Sequence, residues 1–416
     1  WHRGLHHHLV DNPSDIPDEM RLPLLVQAMV ATRLTGRIDR AHELASQVEA
    51  RLGAARAGDM SAGAADPAGF AIGSPAFASP GSSAGVSLRR SMPTFYRELA
   101  STALMAGDLE QARRNWQLLR AHAESLIETK WSGSAQHASA RTGAGLPDDA
   151  ETGRRWLLAA LNGMALTDVV DGDLSRSAEL LAQADALESS TGTQAPGLSW
   201  VGGEITRAHL SYEDRDESLM HEAHGRLARF GDRIEQWPLL LIAEAASVRY
   251  LRGADWALSH LIAGIRAIDE GHRMAGRWHD YLSTYEAMLH TVLGDFEVSD
   301  RSLAGFPPED PVAQVERARR ALFSGDGVAA LLAGQSVGDA GATKRQQLDR
   351  CLICAVSAWR CGKREEALAS IAIAARLLRE CGLPSMLWSV PYEPLLEIAS
   401  AAREAGRNDS PARTRA

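Results

Sequence analysis

Few residues in this 416-residue chain stand at spacings that chemistry would need. Cys351, Cys354 and Cys361 share one helix face and Cys381 follows on the next helix. Zinc needs its ligands within about 2.3 Å of one point. At about 1.5 Å per residue, Cys381 lies about 27 Å along the second helix, so the four read as core thiols. His221-Glu222-Ala223-His224 imitates a protease zinc motif, but that motif sets its histidines at i and i+4. His279, Ser283, Glu286 and His290 form a polar stripe on one helix, an unsupported arrangement for a metal. His6-His7-His8 reads as a surface cluster. Gly81-Ser82-Ser83-Ala84-Gly85 spells G-x-S-x-G inside a Gly/Ser-rich tract, without the strand–turn–helix that a nucleophile elbow requires. No phosphate loop is present: Gly362-Lys363 continues with Arg364. The chain therefore reads as a non-enzyme that holds neither metal nor cofactor.

Composition narrows the class further. The chain is 45% hydrophobic, 6% aromatic and 23% charged, a folded composition dominated by Ala and Leu. A net charge of −9 excludes a whole-chain basic surface for nucleic acid, and no local basic patch replaces it. No apolar run reaches the ~18–20 residues of a bilayer span, so no membrane contact is expected. Trp1 to Val10 is too polar for a signal peptide. With only four cysteines, the expected compartment is a reducing cytoplasm. The chain begins at Trp1, which suggests a fragment of something longer.

Internal repeats set the architecture. A helix–turn–helix phrase recurs as LTGRIDRA, MAGDLEQA, VDGDLSRS, LRGADWAL, VLGDFEVS, FSGDGVAA and RCGKREEA, with a weaker copy in SYEDRDES. The turn positions are Gly36, Gly107, Gly172, Glu213, Gly253, Gly294, Gly325 and Gly362. A Gly there ends one helix in the left-handed conformation, and the Asp that often follows caps the next. Seven residues before the turns stand Met29, Ala100, Ala165, Thr206, Ala246, Ala287, Ala318 and Ala355. Five residues after them stand Ala41, Ala112, Ser177, Ser218, Leu258, Ser299, Ala330 and Ala367. Two columns of mostly small residues mark where paired helices cross closely. Stacked hairpins then share one core, which predicts an all-α helical-hairpin solenoid over 18–406, of about eight hairpins. Residues 1–17 lead in and 407–416 form a tail. The Gly/Ala/Ser/Pro tract at 51–91 and a shorter one at 131–149 read as flexible insertions.

The turn Gly-Asp, the small residue before it and the Ala after it resemble the tetratricopeptide repeat, whose fold is a right-handed superhelix. The spacing is looser, and the aromatic signature positions are missing. Residues 364–406, a hairpin followed by "CGLP", an aromatic-containing loop and a capping helix, are similar to the end of the sensor arm in large LuxR-type, maltose-regulator-like regulators. That resemblance implies an NTPase domain before the repeats and a DNA-binding domain after them, both outside this chain. It also implies that an effector in the groove changes the curvature.

A first helix brings the positions 13, 9 and 6 before its turn onto one face. The ninth position holds Gln27, Glu98, Gly163, Glu204, Glu244, Tyr285, Glu316 and Ile353, and by the resemblance it looks into the concave groove. Trp200, Tyr281, Arg207 and Arg319 share that face, with Arg97 and Asn162 one residue off it. Two readings stay open. The face is either a polar groove with aromatic walls for a small effector, peptide or partner helix, or a solvated surface where Glu204–Arg207 and Glu316–Arg319 neutralise each other. Glu244, directly after Leu239-Leu240-Leu241-Ile242-Ala243, is the sharpest member, because an unpaired carboxylate buried there costs several kcal/mol. Trp156, Trp237 and Trp278, sixteen before their turns, read as packing residues. The leading function is an effector- or partner-binding arm of a LuxR-type regulator, and the alternative is a stand-alone scaffold for peptides or proteins. An oligomer stays open.

Overall fold

The computed structural model describes residues 18–62, 83–133, 149–192, 201–228, 235–267, 276–338 and 342–408. His6 to His8, Gly81, Ser82, Trp200 and the tail beyond Asn408 lie outside them. The described residues are helical, with no strand among them. The described helices pair into eight hairpins: α1 (Asp18–Leu34) with α2 (Ile38–Ala62), α3 (Ser83–Ala106) with α4 (Leu109–Gly133), and α5 (Asp149–Asp171) with α6 (Leu174–Thr191). Next come α7 (Val201–Asp214) with α8 (Glu217–Ala228), α9 (Trp237–Arg252) with α10 (Ala254–Ala267), and α11 (Arg277–Leu293) with α12 (Phe296–Ser302). The last two are α13 (Pro311–Phe323) with α14 (Gly327–Ser336) and α15 (Lys344–Arg360) with α16 (Arg364–Cys381). A short 3-10 helix (Pro384–Ser389) and α17 (Tyr392–Asn408) follow. The tract expected as a loop from 51 is helical to Ala62, and helix resumes at Ser83. Its alanines and arginines are strong helix formers, and they outweigh the loop-like composition.

Seven turns share one hydrogen-bond pattern, which explains the repeat chemically. A residue with positive φ ends the first helix: Gly36, Gly107, Gly172, Arg215, Gly294, Gly325 or Gly362. The next residue donates its N–H to the carbonyl five back, as in Asp108 to Ala103 (2.9 Å) and Asp326 to Ala321 (3.0 Å). That same residue accepts the first bond of the second helix, as Asp108 does from Ala112 (3.0 Å). One short turn thereby satisfies orphan groups of both helices.

Two turns depart from the sequence register. In the fourth hairpin the left-handed residue is Arg215 (φ 60°), not Glu213, and Asp216 begins α8. The crossing positions there move to Ala208 and Met220, both buried, whereas Ser218 is exposed, so a methionine stands after this turn where a small residue is expected. In the fifth, no acid intervenes: Gly253 itself accepts from Ala257 (3.2 Å), so buried Ala257 replaces Leu258 at the crossing. The column before the turns is buried throughout, Ala246 and Ala287 included.

The file of hairpins curves back on itself. Gly276, at the start of α11, sits so close to the second hairpin that a Cβ would lie 2.6 Å from the Met105 carbonyl oxygen. Trp278, fully buried, packs in one core with Ile38 and Met105. Two hairpins further on, the start of α15 meets the third turn. A Cβ on Gly172 would lie 2.8 Å from Arg345 Cβ, and Lys344 N–H donates to Asp171 Oδ1 at 3.2 Å. Lys344 Nζ also pairs with Asp173. Val169 and Leu174 accordingly share a core with α13, α15, α16 and α17.

Candidate ligand-binding site

The curve forms a half-open cavity of ≈ 180 Å³ whose walls, among the described residues, come from first helices, the Thr343 cap of α15 and the 3-10 helix. A cavity of about 150 Å³ already holds a benzene molecule. On α11 and α13 the expected columns point straight in: Tyr281 and Tyr285 from the one, Glu316 and Arg319 from the other. The corrected registers of α7 and α9 bring His209, Leu239 and Ala246 to the same space.

At its floor Arg319 (2% exposed) binds two carboxylates, Glu316 and Asp349, and donates through Nε to the Ser389 carbonyl at 3.0 Å. Ser389 Oγ donates to Asp349 Oδ1 at 2.8 Å. Two acids on one guanidinium leave a surplus negative charge out of water, and Glu316 Oε2 has no hydrogen-bond partner among the described residues. Burial, opposed by Arg319 and reinforced by Asp349, pushes the Glu316 carboxyl up to about 7. Glu213 accepts from the Ser385 N–H (2.9 Å) and hydroxyl (2.6 Å), and burial raises its pKa too. His209 sits against the Leu239 carbonyl at 3.2 Å, and desolvation lowers it to about 3, so the imidazole is neutral. Burial holds both tyrosine hydroxyls protonated, Tyr281 pushed up to about 12 and Tyr285 higher still.

The 3-10 helix closes one wall and is gripped from four helices. Besides the Ser385 and Ser389 bonds, Arg249 donates to the Trp388 carbonyl (2.8 Å) and Arg345 to Met386 Sδ (3.3 Å). Trp388 stacks on Tyr250, centroids 5.3 Å apart, with the Arg215 guanidinium 4.9 Å from its centroid. The left-handed Arg215 thus serves both the turn and this aromatic clamp.

The remaining residues singled out from sequence lie elsewhere. Glu98 is buried between Arg33 (2.7 Å) and Arg97, tying α3 to α1. Asn162 is packing: a Cβ on Gly203 would lie 2.7 Å from its Oδ1. Glu204 pairs with Arg207 (2.6 Å) and Arg226 (2.9 Å), and Arg207 also with Asp185, away from the cavity. The turn at Arg215 explains that misplacement, because Glu204 then stands eleven residues before its turn, off the inward face. Glu244 finds its partner on α10, His260 at 3.2 Å, and is not an unpaired buried charge. Both Glu204–Arg207 and Glu316–Arg319 form, yet only the second faces the cavity.

Elsewhere, Cys351, Cys354 and Cys381 are buried, and burial pushes the Cys354 thiol up to about 11. His221 binds the carbonyl of Glu217 on its own helix (2.7 Å), while His290 meets Asp295 (3.4 Å). Among the described residues no group of three or more metal-ligating side chains converges, and no helix is long and apolar enough to cross a membrane. Sequence reasoning missed Arg249, Arg345, Asp349 and Tyr212. Arg249 carried a signal, since no acid stands three or four residues from it. Asp349, four after Arg345, mimics a surface pair but turns to Arg319 instead. No family model matches the chain, and no curated protein matches its sequence.

Proposed function

We propose that the chain is the effector-binding arm of a LuxR-type transcriptional regulator, a tetratricopeptide-like right-handed solenoid that takes a small molecule in its concave cavity. The observation that carries this reading is that six successive first helices and the 3-10 helix converge on one space. A molecule there touches hairpins far apart in sequence, so its affinity depends on curvature, and differential affinity for two curvatures is what a sensor requires. The change passes to α17 and the flanking DNA-binding domain through the 3-10 helix, whose grips on Glu213, Arg249 and Arg319 border the ligand. The arm itself makes no nucleic-acid contact and performs no catalysis.

Thermal melting of the purified chain against a panel of amino acids, organic acids, sugars and nucleosides tests this. Binders raise Tm in the wild type and fail to do so in Ile242→Trp, which fills the cavity from a half-buried wall position. Stabilisation that survives Ile242→Trp overturns the site, and a panel without binders favours the stand-alone scaffold. An NTPase domain encoded upstream together with a DNA-binding domain downstream supports the regulator, and the absence of both argues against it.

A further inference from the structure

We propose that the ligand is a small organic anion, its carboxylate or phosphate oxygens held between Arg249 and Arg345 and its apolar body against Ile242, Tyr285 and Met288. This rests on the ligand-binding reading above and adds the ligand's chemistry.

Every acid lining the cavity is engaged: Glu316 and Asp349 by Arg319, and Glu213 by Ser385. Two of its three arginines act on these acids only at longer range, Arg345 on Glu213 and Arg249 on Glu316. Neither Arg249 nor Arg345 forms an ion pair among the described residues. Arg249 rests one nitrogen on Met288 Sδ (3.3 Å) and one on a carbonyl, and Arg345 rests on Met386 Sδ (3.3 Å). A thioether is a weak acceptor and a guanidinium carries five donors, so both cations hold donors in reserve beside the cavity. Both line the same cavity, in which both act electrostatically on the Tyr212 and Tyr285 hydroxyls. The Tyr281 and Tyr285 hydroxyls make no hydrogen bond to another described residue and offer further donors. Arg249, Arg319 and Arg345 match Glu213, Glu316 and Asp349 charge for charge, and a proton taken up by Glu316, whose carboxyl burial pushes up to about 7, leaves one positive charge in excess that a monoanion cancels. Exchanging thioether contacts for charge-assisted bonds to oxygen is favourable, whereas a neutral guest leaves the guanidinium donors unmet and a cation is repelled.

Titration calorimetry on the full chain tests this with benzoate, phenyl phosphate, inorganic phosphate and the neutral isostere benzamide. Benzoate or phenyl phosphate should bind at least about ten-fold tighter than benzamide, the worth of one charge-assisted bond. Arg249→Met and Arg345→Met should each remove that advantage, so that benzoate binds each variant no tighter than benzamide binds the same variant, with the Gln variants repeating the result should a Met variant fold poorly. The benzoate-to-phenyl-phosphate ratio tells a carboxylate from a phosphate site. Benzamide binding as tightly as the anions overturns the anion proposal alone. Inorganic phosphate matching phenyl phosphate overturns the apolar half of it. No binding by any aromatic probe overturns both this proposal and the ligand site beneath it.

Discussion

At the scale of single residues, the cavity floor is an electrostatic compromise. Arg319 is buried with two carboxylates, and removing it strands both charges, which in buried pairs costs about 3–5 kcal/mol. The Glu316 carboxyl, held at about 7, titrates in the opposite sense to an ordinary folded-state acid. A folded pKa above the unfolded one means that the native state binds the proton more tightly, so this group's stabilisation is complete below about 4.5 and fades as pH rises through 7. His209, depressed to about 3, adds a slope of the other sign below its ordinary 6.5. Comparison with a variant isolates the carboxyl. Glu316→Gln should gain on the wild type by on the order of 2 kcal/mol between pH 5 and 8 in urea unfolding. A difference independent of pH would contradict the shifted carboxyl.

At the scale of helices and turns, much of the fold could be read directly from the chain. A left-handed Gly, a capping Asp and a small residue at each crossing are local features, and local features leave local marks. The fourth turn escapes a reading keyed to Gly, because its left-handed residue is an arginine. Asp216, which caps α8 by accepting from the Leu219 N–H (3.0 Å), was the mark that could have corrected it. The turns are not equivalent once folded. Gly325 faces open space, whereas a Cβ at Gly172 meets Arg345 Cβ at 2.8 Å and the Arg345 backbone nitrogen at 2.9 Å. Gly325→Ala should therefore cost about 1 kcal/mol for the left-handed backbone alone. Gly172→Ala should cost about 2–4 kcal/mol in the same unfolding measurement, because it also pushes the third and eighth hairpins apart. Equal costs would mean that the closure contact contributes nothing.

At the scale of the molecule, the periodicity foretold a file of hairpins but not its closure. The contacts that bring α15 onto the Gly172 turn and α11 onto the first two hairpins join residues far apart in sequence, and no repeat spacing encodes them. For the same reason only the inward residues of α11 and α13 were identified as a group. Arg249 and Arg345 belong to the cavity because the curve closes, not because of their place in a repeat. Closure also deepens a groove into a half-open cavity lined by six first helices, and under the proposed function a ligand there distinguishes two curvatures through its differential affinity for them. A crystal structure of the protein grown with 4-iodobenzoate tests this most directly. Anomalous scattering should place the iodine among Ile242, Tyr285 and Met288, with the carboxylate between Arg249 and Arg345. An iodine bound elsewhere, or hairpins splayed open with α15 away from Gly172, would contradict it.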